Sequence, residues 1–254
     1  MPKLTFIVTT HKRPELLLRC VTSIKTFVKI DHEIIVVDDS ADGEGFSVAA
    51  SVGASYIKKS RFDRRGQARS RNLGIDLAKG EFIVFIDDDD FLVGEAIESM
   101  VLGAEAHDFL CANYFFYSKE NLHPVNIEQF SMDEMLVFNR IPVGSFAIRR
   151  SKIVYGFDEE MRSHEDWDFL LRNLSHLKVK YFNLFPVAID KTNDQTSSHQ
   201  GLTRKLFWID YLSVYSRFPC PRLKHLRHAK LQSMGVSIGA DLLECEPSVN
   251  QRVF

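Results

Sequence analysis

Cysteine is scarce in this chain. There are four in 254 residues, Cys20, Cys111, Cys220 and Cys245, all far apart. They form no C-x-x-C pair and no metal-ligand spacing, which excludes a thiolate zinc site, argues against a disulfide scaffold and fits a reducing compartment. No apolar run reaches the roughly 18 residues that a membrane span needs. Residues 4–8 are apolar, but His11, Lys12 and Arg13 follow at once, so no secretory leader is expected and the cytoplasm is the expected location. Charge of one sign is lacking too: 32 Lys and Arg stand against 34 Asp and Glu, a net charge of −2. No global field is present to recruit nucleic acid, and none is expected as a partner.

The composition is that of a globular protein, 45% hydrophobic and 26% charged, long enough to bury a core. Residues 4–8 and 33–37 are continuous apolar runs of the kind found in strands buried on both faces. Residues 55–57 and 82–86 are further strands, the latter the strongest. Between them, Pro14 opens a helix with apolar residues at helical spacing, and residues 67–78 form another. Strand and helix alternating in this way predict an α/β fold with a mostly parallel central sheet flanked by helices. In such sheets ligands bind beyond the carboxyl ends of the strands. Three ends there are polar: Thr9-Thr10-His11, Asp38-Asp39, and the four aspartates 87–90. In the second half, residues 109–117 and 144–149 read as strands, and residues 163–174 as a short helix. Beyond Leu202 the sequence is helical, aromatic and basic, with a break at Pro219–Pro221.

Four adjacent carboxylates at the end of a buried strand repel one another unless a cation offsets them. Hard divalent cations such as Mg²⁺ or Mn²⁺ take oxygen ligands of this kind. A solvated acidic turn is the bland alternative, and the second acidic strand end at Asp38-Asp39 favours a site. Asp39 can accept the N–H of a pyrimidine base. Arg71 is placed to pair with a diphosphate, although a lone arginine on a helix more often pairs with a surface acid.

The segments from Thr5 to Leu17 (Thr-Phe-Ile-Val-Thr-Thr-His-Lys-Arg-Pro-Glu-Leu-Leu), Ile34 to Ser40, Gly66 to Gly74 and Gly80 to Asp90 together resemble the family 2 glycosyltransferases of the GT-A (nucleotide-diphospho-sugar transferase) fold. The later Gly156-Phe-Asp and His164-Glu-Asp-Trp-Asp resemble that family's acceptor-side motif, and the likeness covers roughly residues 3–190. The resemblance implies a nucleotide-sugar donor, with a UDP-sugar favoured, a Mn²⁺ or Mg²⁺ cofactor, and inversion at the anomeric carbon. Thr9 and His11 then line the nucleoside pocket, Asp39 holds the base and Arg71 lies on the phosphate side. Asp87 and Asp88 belong with the nucleotide-sugar, Asp89 with the metal, and Asp166 is the catalytic base. The implied acceptor is a glycan or a lipid-linked glycan of surface polysaccharide synthesis. Two features depart from the family pattern: His11 stands where a tyrosine is usual, and after the Glu-Asp motif, where a basic residue followed by His and Ser is common, Asp190-Lys191-Thr192-Asn193 precedes Gln195-Thr196-Ser197.

Residues 1–200 are expected to form the catalytic domain, with 1–106 as the nucleotide-sugar half and 107–200 as the acceptor half. Residues 201–254 are expected as a helical extension. From Arg204 to Lys230 this extension holds seven bases against one acid, Asp210, interleaved with Phe207, Trp208, Tyr211 and Tyr215. Such a helix either contacts an anionic membrane peripherally or packs its aromatic face on the domain. Ser163 is a candidate N-cap ahead of Glu165 and Asp166, and Asp168 is four residues before Arg172, the spacing of a helix-surface ion pair. Two competing functions on related folds are a catalytically silent nucleotide-sugar-binding protein and a sugar nucleotidyltransferase. The latter usually carries a glycine-rich loop after its first strand, where this chain has Thr10-His11-Lys12-Arg13.

Overall fold

The computed structural model describes residues 1–60, 66–127, 130–161, 163–192 and 202–236, with backbone alone for residues 202–208. In chain order the elements are β1 (Leu4–Thr10), α1 (Pro14–Phe27), β2 (His32–Asp38), α2 (Phe46–Ser51), β3 (Ser55–Lys58), α3 (Gln67–Leu77), β4 (Phe82–Asp87), β5 (Phe91–Leu92), α4 (Ala96–Leu102), β6 (Phe109–Ala112), β7 (Tyr114–Ser118), β8 (Asn121–Val125), α5 (Met132–Met135), β9 (Phe146–Arg149), α6 (Glu165–Leu174), β10 (Val179–Phe182), β11 (Val187–Asp190), α7 (Leu202–Arg217) and α8 (Lys224–Ser233).

Seven strands form the central sheet in the order β10-β6-β9-β4-β1-β2-β3, with β9 antiparallel to both its neighbours and the other pairs parallel. Both faces are covered, which is why the central strands lack polar alternation. Leu4, Phe6 and Val8 of β1 join the core under α1 and α4, while Ile7 joins the core under α3 and α6. Strand β4 divides in the same way, with Phe82, Val84 and Ile86 on one face and Ile83 and Phe85 on the other. Two glycines permit the close approach of chain segments. A Cβ on Gly74 of α3 would sit 2.4 Å from Ile7 Cγ2, and one on Gly80 would sit 2.5 Å from the Thr5 backbone nitrogen.

The single strand expected over residues 109–117 is in fact two strands in different sheets, because Asn113 interrupts it. Asn113 is fully buried; its Oδ1 accepts from Ile127 N and the Tyr181 hydroxyl, and its Nδ2 donates to Asn183. These bonds replace a strand ladder, and the chain passes into a second sheet of order β5-β11-β7-β8. The strand expected from residue 144 begins at Phe146, since Gly144 has φ +83° and Ser145 N closes a turn on Pro142.

The described part of the C-terminal region packs on the domain. Val214, Tyr215 and Leu231 share the core cluster that contains Trp167 and Phe169. Its bases have partners within the chain: Arg217 pairs with Asp158 at 2.5 Å, Arg222 pairs with Asp133, the guanidinium of buried Arg227 lies 4.3 Å from the Tyr215 ring centre, and Lys230 lies 4.6 Å from that of Phe138. The side chains of Arg204, Lys205, Phe207 and Trp208 lie outside the described residues. Among the described residues, no helix is long and apolar enough to cross a membrane.

Candidate active site

The parallel register aligns the three polar strand ends. Thr9 stands opposite Asp87, and Thr10 opposite Asp38. The backbone continues the alignment past the strands, with Asp88 N donating to Thr9 O at 3.2 Å and Asp39 N to Thr10 O at 2.9 Å. Both acidic ends therefore flank the end of β1, as the alternation of strands and helices predicts.

Within the aspartate run, carboxylate oxygens of Asp87, Asp89 and Asp90 all lie within 4.8 Å of one another. Burial pushes the Asp89 carboxyl up, and Asp87 adds to this while Arg13 opposes it. Asp90 is raised well above the ordinary range by burial and then by Asp89 and Asp87. Three hard oxygen donors this close together are the donor set a divalent cation satisfies. Asp88 faces the other way. It is fully buried, accepts from Thr10 Oγ1 at 2.6 Å and pairs with Arg13, and burial carries its pKa to about 7 against those two partners. Both its oxygens are engaged at the strand end, one by Thr10 and both by Arg13.

Arg13 is a residue that sequence reasoning missed. Its guanidinium pairs with Asp88 and, at 2.7 Å, with Asp89. The register signals this, since Arg13 follows the end of β1 as the aspartates follow the end of the adjacent β4.

Arg71, expected on the phosphate side, is only 2% exposed and spends its charge on two carboxylates, Asp87 at 2.9 Å and Glu165 at 2.7 Å. Burial works against its charge, but Asp87 and Glu165 outweigh that and hold it protonated. It thereby ties the end of β4 to the start of α6. Thr9 Oγ1 donates to the same Asp87 oxygen at 3.0 Å. Asp39 accepts from Gly66 N at 2.9 Å and pairs with Lys59 at 3.0 Å. His11 is exposed just beyond β1.

Asp166 stands in the first turn of α6, where the helix dipole favours a carboxylate. Its Oδ1 accepts from Trp167 N and its Oδ2 from Asn139 Nδ2, both at 2.8 Å. Burial raises its pKa, Arg71 opposes this and Asp87 reinforces it. Asp166 directly follows Glu165, which Arg71 joins to Asp87. Ser163 is not the cap: His164 occupies the N-cap in a left-handed conformation with φ 62°, and Ser163 Oγ donates to Asp210 of α7 at 2.6 Å. Asp168 does pair with Arg172, at 2.6 Å, but it is fully buried and also contacts Arg217, so the pair is not on the helix surface. Of residues 190–197, which depart from the family pattern, the part after Thr192 lies outside the described residues.

Comparison with known proteins gives this geometry a family. Residues 5–181, well over half of the chain, match the Glycosyl transferase family 2 model. An uncharacterized glycosyltransferase of Bacillus subtilis (strain 168), YwdF, is 28% identical over 228 residues, covering 83% of each chain. The teichoic acid poly(glycerol phosphate) polymerase of Staphylococcus epidermidis is 26% identical over 274 residues; the match takes in 99% of this chain and 38% of the polymerase. Among solved structures, residues 1–349 of S. aureus TarS in complex with UDP-GlcNAc superpose with a TM-score of 0.70 at 15% identity, covering 93% of this chain and 76% of that one. With the sheet order, the aligned acidic strand ends and the family match in agreement, this chain belongs to glycosyltransferase family 2, and is a glycosyltransferase with the GT-A fold.

Proposed function

We propose that the protein transfers a sugar from a UDP-sugar to a hydroxyl of a glycan or lipid-linked acceptor, with inversion and with a bound Mn²⁺ or Mg²⁺, in the synthesis of a surface polysaccharide or teichoic acid. The observation that carries the reading is the junction at Arg71, which brings the Asp87–Asp89–Asp90 carboxylates and the Glu165-Asp166 pair to one place. The likeness to a structure that binds UDP-GlcNAc and to a teichoic acid polymerase supports the donor and the polymer class.

In this account Asp89, with Asp87 and Asp90, holds the cation. A bound divalent ion supplies Lewis-acid stabilisation of the leaving diphosphate. Asp39 and Thr9, with His11 at the rim, receive the nucleoside. Arg71 fixes Asp87 and Glu165. Asp166 takes the proton of the acceptor hydroxyl as its oxygen bonds to the anomeric carbon and the bond to the diphosphate breaks. One base and no covalent intermediate give inversion, the logic of inverting glycosidases. The proposed setting is the cytoplasm, at a membrane surface where a lipid-linked acceptor is exposed.

A panel of UDP-sugars with Mn²⁺, scored by UDP release with and without glycan acceptors, tests the reading. Acceptor-stimulated UDP release supports it. Binding of UDP-sugars without turnover would instead favour a silent binding protein. Release of pyrophosphate from a nucleoside triphosphate and a sugar phosphate would favour a nucleotidyltransferase.

A further inference from the structure

Between α5 and β9 the chain has no regular structure over residues 136–145, yet three consecutive carbonyls at its start, from Met135 at the end of α5 to Val137, are each engaged by a side chain from a different helix. Trp167 Nε1 of α6 donates to Met135 O at 2.6 Å, Arg227 Nε of α8 to Leu136 O at 3.0 Å, and the Tyr215 hydroxyl of α7 to Val137 O at 2.7 Å. Trp167, Tyr215 and Arg227 are all buried. Buried donors that meet buried acceptors fix a segment, because shifting it leaves both sides unsatisfied. Two residues on, Asn139 uses its two ends differently. Its Oδ1 accepts from Ile141 N at 3.0 Å, which orients the amide, and its Nδ2 donates to Asp166 Oδ2 at 2.8 Å. Asp166 Oδ1 is held by Trp167 N. Each carboxylate oxygen accepts more than one hydrogen bond, so the carboxylate is oriented at both oxygens and keeps lone pairs for an incoming hydroxyl.

We propose that Asn139 is the positioning residue for the base Asp166, and that the loop carrying it is held in place by α6, α7 and α8. This rests on the reading of Asp166 as the base. It assigns the C-terminal helices a part in the chemistry through the loop they fix. Misplacing a reacting group by about 1 Å costs on the order of 10²-fold in rate, which is the scale at which a second hydrogen bond to the base matters.

The test is Asn139→Asp. The substitution is isosteric and keeps the acceptor for Ile141 N, but it replaces the donor to Asp166 with a second carboxylate. Three quantities are read on the full chain: kcat for UDP release with the best UDP-sugar of the panel, affinity for UDP with Mn²⁺ by calorimetry, and Tm. The expected result is a kcat lower by about 10- to 10²-fold and a reduced Tm, with UDP affinity unchanged. The exchanged pair Asn139→Asp/Asp166→Asn restores the hydrogen bond with donor and acceptor reversed. It should recover the Tm lost in Asn139→Asp while its turnover stays as low as that of Asp166→Asn. Wild-type kcat in Asn139→Asp would overturn the proposal, as would a loss of UDP affinity in step with kcat, which marks a merely structural residue. Wild-type kcat in the exchanged pair would also overturn it, by showing that the base need not stand at 166. If Asp166→Asn alone kept its turnover, the reading of the base would fall, and the task assigned to Asn139 with it.

Discussion

Asp38 accepts hydrogen bonds from Ser40 N at 2.8 Å, Gly45 N at 2.9 Å and the Tyr56 hydroxyl at 2.9 Å. Burial pushes its pKa up, but these bonds outweigh it and hold the carboxyl below its ordinary 3.8. A depressed native pKa stabilises the fold above the unfolded value and loses that contribution as pH falls through the native one. Asp38→Ala should therefore cost about 1–3 kcal/mol at neutral pH, and the Tm gap to wild type should narrow on acidification below pH 3.8. Asp89 is the opposite case. Removing it relieves repulsion among carboxylates whose pKa values are raised, and leaves Arg13 paired with Asp88. Asp89→Ala is expected to keep or raise Tm while abolishing transfer and weakening UDP binding in Mn²⁺. Chelator should abolish wild-type transfer likewise. Full activity in either experiment would remove the metal from the account. Asp38 and Asp89 look alike in sequence, each within an acidic run at a strand end, because partners decide the difference and partners come from other elements.

Elements show the same division. Strands β1, β2 and β4 were legible as continuous apolar runs, and their observed ends differ from the expected ones by one or two residues. Gly80 serves the β1–β4 contact through its missing side chain. Gly80→Ala would place a Cβ 2.5–2.6 Å from the backbone of Leu4 and Thr5, and should destabilise by about 1–3 kcal/mol in denaturant titrations. Helices α7 and α8 were legible as helical, basic and aromatic, but not as packed: a basic aromatic face has the same pattern on a membrane and on a domain. In the structure Tyr211 and Tyr215 pack edge-on against Trp167, at 5.2 and 5.9 Å between ring centres. Ending the chain after Gly201 should thus expose the Trp167 face, and the product should be insoluble or lose several degrees of Tm. A well-folded truncation that had merely lost affinity for anionic vesicles would show that the helices serve a membrane instead.

At the scale of the whole molecule, the fold and the alignment of the polar strand ends follow from the sequence because both depend on strand order, and buried parallel strands carry a strong local signal. The aspartate run stood out from its residues, and the Glu165-Asp166 pair from the family resemblance. Their connection through Arg71 did not, since that arginine meets Glu165 across 94 positions of sequence. Asn139 left no mark at all, lying in an irregular segment whose geometry is imposed by three helices. The measurement that bears most directly on the account is single-turnover transfer by Asp166→Asn, with UDP-sugar affinity measured in parallel. The change is nearly isosteric and retains an oxygen to accept from Trp167 N. The account predicts near-native Tm, near-native donor affinity and a transfer rate lower by about 10²-fold or more; a variant that loses stability yet transfers sugar at the wild-type rate would contradict it.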